Sequence, residues 1–354
     1  SSLILGDSQN ICLSSDAAGY LNLTSSSPLT TDIVISFLGG TNTAAITWFE
    51  DESQIDLCGL NYDTLLLNLH NNYSTTTAGI GNTSLGYNIS GTIDASGLGC
   101  MAGGYSGLSA VIQATSLEGS LAWGRAKEAG AILEASGAGS VAFGCARGVG
   151  CTIKATGHGS IASGFNNTPG NAILASGVGS IATGTGIVTA SGDGSFAQAG
   201  STQTIGITAS GAGAWAGGYD DGSGITASGD ASFAHVYTNS PLCTASGKGS
   251  AIFGYCGFGG ITASGDGSFA GGYTDVDGIV ASGRGGFVWG DDITAGPLSY
   301  ITAFGVGYDV NIANSFNVGF SGLDLQITSG SANFQDTNIL TTGTIIGKMD
   351  AYNV

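Results

Sequence analysis

The chain has 354 residues, of which 64 are Gly and 4 are Pro, and 25 acidic against 7 basic side chains give it a formal charge of −18. So few Lys and Arg argue against a nucleic-acid or anionic-membrane binder, and no strict Gly-X-Y period marks a collagen. Hydrophobic residues at 42% are too many for disorder through lack of apolar surface, yet no run approaches the ~18 apolar residues of a membrane helix, so no membrane insertion is expected.

A start at Ser1-Ser2 without Met is expected of a processed chain or a fragment. Ile33-Val34-Ile35-Ser36-Phe37-Leu38, Ala45-Ile46-Thr47-Trp48-Phe49 and Leu65-Leu66-Leu67-Asn68-Leu69 read as strands between Gly, Asn and Asp turns. Residues 1–85 lack the repeat that follows. They are expected to form a small β module that caps a repeat array or connects it to a stalk.

From there a repeat takes over. The tripeptide Ala-Ser-Gly or a close variant recurs with its Ala at Ala95, Ala114, Ala135, Ala155, Ala175, Ala190, Ala209, Ala227, Ala245, Ala263 and Ala281. The steps are mostly 18 to 21 residues, with one of 15. Two residues before each Ala stands Ile93, Ile112, Leu133, Ile153, Ile173, Val188, Ile207, Ile225, Cys243, Ile261 or Ile279, and the residue between is often polar. This alternation predicts a half-buried strand. After a Gly-rich turn comes Ser-bulky-Ala-x-Gly, with Met101, Leu121, Val141, Ile161, Ile181, Phe196, Trp215, Phe233, Ala251, Phe269 and Phe287 at the bulky place. Two short strands per unit cannot bury their faces alone, so the units are expected to stack at ~4.8 Å into a solenoid. The predicted fold is all-β: a parallel β-roll of two short strands per coil over residues 86–320. Residues 321–354 are expected to cap or connect it. The Ala face or the bulky ladder beside it is expected to face a neighbouring chain.

The units, of which "ITASGDGSFAGGY" is one, resemble the head repeats of trimeric autotransporter adhesins of the YadA type, and similar repeats of virion fibres. The resemblance covers about residues 90–320, roughly two thirds of the chain. It implies three chains side by side around a threefold axis. The coils here are longer than is usual in that family, and their loops are larger. Residues 40–59 are similar to a strand-rich segment near the start of many fibre proteins, and residues 314–345 to the stretch that closes such heads.

Candidate sites are thin. His70, His158 and His235 lie far apart, and His158 occupies a turn place that elsewhere holds Asp193, Asp230, Lys248, Asp266 or Arg284. A place that accepts both signs reads as a solvated turn, and no catalytic residue is assigned. The acidic loops show no EF-hand spacing and the seven Cys show no zinc pattern, so no metal or other cofactor is expected. Cys145 and Cys151 are close enough in sequence to pair as a disulfide, or to stay free. Binding candidates are the loop aromatics and acids Tyr105, Tyr219, Asp220, Asp221, Tyr237, Tyr255, Tyr273, Asp275 and Asp277. The Tyr residues serve either as contact groups or as a ladder stacked within the chain. Ile93, Ile153, Ile207, Ile225, Ile261 and Ile279, with Phe196, Trp215, Phe233, Phe269 and Phe287, are the expected structural ladder. Asn22, Asn72, Asn82, Asn88 and Asn166 stand in glycosylation sequons.

The expected function is an extracellular structural or adhesive fibre, not an enzyme. It would stand on a cell or virion surface, form a homotrimer, and present loops to a cell-surface receptor or glycan. The alternative is a subunit of a self-polymerising filament or sheath joined through sheet edges. An acyltransferase on a triangular β-helix fits the 18-residue spacing but lacks an evident catalytic His. Thr189, Thr208, Thr226, Thr244 and Thr262 align one residue before the Ala, as in an ice-binding surface or an ordinary exposed strand.

Overall fold

The computed structural model describes residues 82–116, 118–201, 206–239, 241–320 and 325–328, apart from the side chains of Ser201 and Phe320. It gives the backbone alone for seven strands before residue 82 and for Ser331–Phe334. Two units are distinguished, Ser1–Leu66 and Leu67–Val354. The first contains two antiparallel three-stranded sheets. One joins Leu3–Leu5, Ile11–Ser15 and Leu21–Ser25; the other joins Ile33–Gly39, Asn42–Phe49 and Gln54–Cys58. The expected strands at 33–38 and 45–49 lie within the second sheet.

The second unit is a parallel β-solenoid of about 13 turns, with no helix among the described residues. At the usual strand separation of about 4.8 Å, the stack is about 60 Å long. Each coil has a long strand of about six residues, a loop, a short strand of three or four, and a tight turn. Long strands pair only with long strands of neighbouring coils, and short with short. Thus Leu121 meets Val141 and Ile132 meets Thr152.

The short strand puts its aliphatic residue and its Ala inside and the residue between them outside, as in Ile225–Ala227. The long strand points its second residue inward, which gives the ladder Ala122, Ala142, Ala162, Ala182, Ala197, Ala216. These Ala side chains are fully buried within their own coil, as are those of the short strand. The Ala face is therefore no surface for a neighbouring chain. The lumen between the two sheets, to which each coil adds one long and one short strand, has room for one Ile and two methyl groups per level, and Ala is the residue that fits. Each buried Ile stabilises its coil by about 1.5–3 kcal/mol.

One turn uses two glycines for different reasons. A Cβ on Gly177 would lie 2.2 Å from the carbonyl oxygen of Gly192 in the next coil, so space excludes it. Gly179 has nothing within 4 Å, but its φ of +63° is left-handed, which Gly adopts without strain. In the next-but-two turn Ala231 takes up that conformation at φ 54°.

Three coils escaped the sequence pattern wholly or in part, although it held Ile93, Ala95 and Phe287. Asn82–Asn88 is a long strand in register with Met101–Ser106, across the expected boundary at 85/86. At the other end, Phe287–Ala295 and Ile301–Val310 each run long and short strand together, aligning Ala281, Ala295 and Val310. Tyr308 fills the lumen where Ile stands elsewhere, and its hydroxyl bonds the carbonyl oxygens of Phe304 and Asn317. Parallel stacking stops at Ser315–Phe320, which pairs antiparallel with Leu325–Thr328; that strand pairs in turn with Ser331–Phe334.

Candidate functional site

The long-strand sheet presents three outward columns, from the first, third and fifth residues of each strand. The first column is Met101, Leu121, Val141, Ile161, Ile181, Phe196, Trp215, Phe233, Ala251, Phe269, Phe287, Thr302 and Phe316. Its members are half-buried to exposed. The third column adds Trp123, Phe143, Phe253, Trp289 and Phe304. Rings from the two columns interleave along the C-terminal half. Trp215 and Phe233 are 4.0 Å apart, Phe233 and Phe253 4.7 Å, and Phe269 and Phe287 4.7 Å. Trp123, Phe143 and Trp289 remain 43%, 47% and 45% exposed.

The fifth column carries the Tyr candidates. Tyr219, Tyr237, Tyr255 and Tyr273 stack in series at 5.0, 5.2 and 5.2 Å, with planes within 16° of parallel. The Asn239 side-chain amide donates to the Tyr255 hydroxyl at 2.7 Å. Tyr105 stacks on Tyr87 and lies under the Arg125 guanidinium, 5.1 Å away. The inner members of the series have both faces covered by neighbouring rings and offer only edges and hydroxyls.

The acids separate into two kinds. Asp221, Asp275 and Asp277 are exposed. Asp220 is not a loop acid: it is fully buried at the inward sixth position, where its Oδ1 accepts from the backbone N–H of Gly222 and Gly224 at 3.1 and 2.9 Å. The sixth position is the seat of loop anchors in general. Ser106 donates to Ala110 O, Thr238 to Pro241 O, and Asn88 both donates to and accepts from Gly91. Asn88 and Asn166 share that position, while Asn82 stands at the start of its strand. Asn82, Asn88 and Asn166 are buried, so a folded coil hides their amides. Asn22 and Asn72 lie outside the residues whose side chains are described.

At the tight turns, Asp193, Asp230 and Asp266 accept hydrogen bonds from the backbone N–H of Val178, Ala212 and Lys248 in the preceding coil, at 3.0, 3.2 and 3.0 Å. The sequence reading missed this clasp; the recurrence of Asp at one turn place was its signal. Near the C-terminal end, burial raises the Asp291 carboxyl above the ordinary value, with Asp292 and Asp275 adding to it. Burial would raise Asp292 too, but bonds from Gly278, Thr274 and Asp277 outweigh it and hold that carboxyl below the ordinary value.

Cys243 and Cys256, inside adjacent coils, form a disulfide, whereas Cys145 and Cys151 are free thiols. Of the two alternatives left open for Cys145 and Cys151, the structure has the free one: Cys151 is buried, and its Sγ donates to Thr168 O at 2.9 Å. Among the described residues no group of three or more His, Cys, Asp and Glu is placed to hold a metal ion. His158 is exposed at a turn, and His235 lies on the outer face against Trp215. His70 lies outside the residues whose side chains are described. Thr189, Thr208, Thr226, Thr244 and Thr262 form one outward column on the short-strand sheet.

No protein-family model matches this chain, and no match is found to a curated protein or to a solved structure.

Proposed function

We propose that the chain is an extracellular structural and adhesive fibre protein whose solenoids associate side by side, three to a bundle, through the first and third columns of the long-strand sheet. The observation that carries this reading is the apolar band itself. It runs along the solenoid as aliphatic and aromatic side chains left half-exposed, and continuous apolar surface of that kind marks interaction sites on soluble proteins. A second copy is the occupant that fits, because a band repeated coil by coil meets its equal most simply in another copy of the same repeat. The likeness to trimeric adhesin heads supports the number three. The Ala ladder is excluded as the contact, since it lies inside its own coil.

The remaining surface fits presentation, not chemistry. Exposed acids stand in the loops, the turns are clasped by carboxylates, and hydroxyl-bearing strands cover the other sheet. Many weak contacts along such a rod add to useful avidity. The Cys243–Cys256 disulfide fits an oxidising, extracellular setting.

Electron microscopy of the purified chain tests the proposal. Uniform bundles of finite length with threefold end views support it. Filaments that lengthen with concentration favour polymerisation through sheet edges, and single solenoids reject both readings. The antiparallel strands after Phe320 weigh against open-ended growth, because they break the parallel register at that end.

A further inference from the structure

The short-strand sheet lies across the lumen from the bundle contact, and its outer face is uniform where no packing requires it. Each short strand turns outward the residue between its aliphatic residue and its Ala. In the earlier coils that column reads Asp94, Gln113, Glu134, Lys154 and Leu174, and Glu134 and Lys154 pair at 3.0 Å. In the later coils it reads Thr189, Thr208, Thr226, Thr244 and Thr262, in register. Two residues on stands a second outward column, Ser191, Ser210, Ser228, Ser246 and Ser264, all exposed.

Copying of one unit does not account for this uniformity. In the same coils the first column varies from Phe196 through Trp215 to Ala251, and the turn place from Asp193 through Ala212 to Lys248. Strand propensity does not account for it either, because Val suits such a place as well as Thr, and Val280 follows Thr262. Internal bonding is no reason, since none of the Thr and Ser hydroxyls of the two columns makes a hydrogen bond within the described residues.

Hydroxyls repeated at about 4.8 Å between coils and about 6.8 Å along each strand form a two-dimensional lattice. Thr is stiff at χ1, so the lattice is rigid. A partner that meets every member must share both periods, and a crystal face does so. The array covers on the order of 200 Å², against about 800 Å² per partner in a standard protein interface, so a second copy or another protein is a poor occupant. In a chain of charge −18 neither column carries a charge, which disfavours an ionic crystal. Neither column holds a ring on which a sugar could stack. Methyl groups and hydroxyls in alternation suit a lattice of water molecules. We propose that this Thr-x-Ser array adsorbs to ice, its hydroxyls taking the places of lattice waters.

The proposal goes beyond the adhesive reading and does not depend on the bundle. Three chains side by side multiply the arrays and their avidity.

The test is slow growth of ice in a stirred solution of the intact chain, with its concentration in the ice compared with that in the liquid. The wild-type chain is expected to be enriched in the ice. Thr226→Lys, at the centre of the array, is expected to abolish the enrichment. Thr208→Leu is expected to reduce it and decides the matter if Thr226→Lys does not fold; Lys154 and Leu174 already occupy this column in other coils. Exclusion of the wild-type chain from ice overturns the proposal, as does equal enrichment of the folded variants. Adsorption to microcrystalline cellulose without enrichment in ice overturns it as well. Solution mass on the same samples separates the two readings. A trimer excluded from ice sinks the array alone, and a monomer enriched in ice sinks the bundle alone.

Discussion

The coils before residue 190 and those after it have the same interior and different exteriors. Ile153 and Ile225 occupy the same buried place, as do Ala142 and Ala216. Outside, the first column changes from Leu121, Val141, Ile161 and Ile181 to Phe196, Trp215 and Phe233, and the fifth changes from Arg125, Cys145 and Phe165 to four stacked tyrosines. At the aliphatic and Ala places the lumen is narrow, so both halves repeat nearly the same residues there. The outer face is free of that constraint, and there the halves diverge. Fold is fixed on the inside of the coil, and individuality lies on the outside.

The comparison can be broken most forcefully in the lumen. Ile153→Ala and Ile225→Ala are expected to destabilise their coils by similar amounts, about 2–5 kcal/mol each, measured by local hydrogen exchange. Costs that differ severalfold between the halves would show that their interiors are not equivalent. Reduction of Cys243–Cys256, which are 13 residues apart in the later half, is expected to lose about 3 kcal/mol. Peptide mapping under non-reducing conditions should find this pair linked and Cys100, Cys145 and Cys151 free.

Outside the coil the halves should respond differently. Tyr255→Ala removes two stacked contacts and is expected to cost about 1–3 kcal/mol. Cys145→Ala in the same column of the earlier half is expected to change stability by less than about 0.5 kcal/mol. Equal thermal shifts would mean that the tyrosine series contributes nothing beyond its area.

The smallest effect is electrostatic. Asp291 is raised in the fold, so its charge opposes folding at neutral pH, and Asp291→Asn is expected to stabilise by under about 1 kcal/mol there. That gain should vanish as pH falls below about 4, where the native carboxyl is protonated in both states. Asp292 has the opposite sign. Its lowered carboxyl contributes stability above the ordinary value, which is lost as pH falls through the depressed one. Denaturation of both Asn variants at several pH values checks the pair; a gain from Asp291→Asn that persists in acid would contradict the assignment.

Much of the solenoid was legible because the aliphatic-x-Ala-Ser-Gly unit encodes alternation and turn together. The last two coils were not, because their loops collapse and the key Ala becomes Val310 in the second of them. The first was missed because Ser84 stands where later coils have Ala. Alternation also could not tell inside from outside. Phe and Trp beside Ala suggest a core, yet in the repeated coils the lumen holds Ile and Ala, and the rings stack outside; Tyr308 near the C-terminal end is a ring inside. Asp220 and the sequons at Asn88 and Asn166 were misplaced for a single reason. The long strand runs to a sixth residue, and unbroken alternation turns that residue inward, where the sequence reads as the start of a loop. The ladder Asp220, Thr238, Cys256, Thr274 was the available signal.

The most direct test of side-by-side association is the solution mass of the intact chain, by light scattering after size exclusion. The account predicts a single species near three times 34.8 kDa, falling to the monomer when Phe233→Asp and Phe269→Asp put charges into the apolar band. A wild-type chain that stays at 34.8 kDa at all concentrations would contradict it.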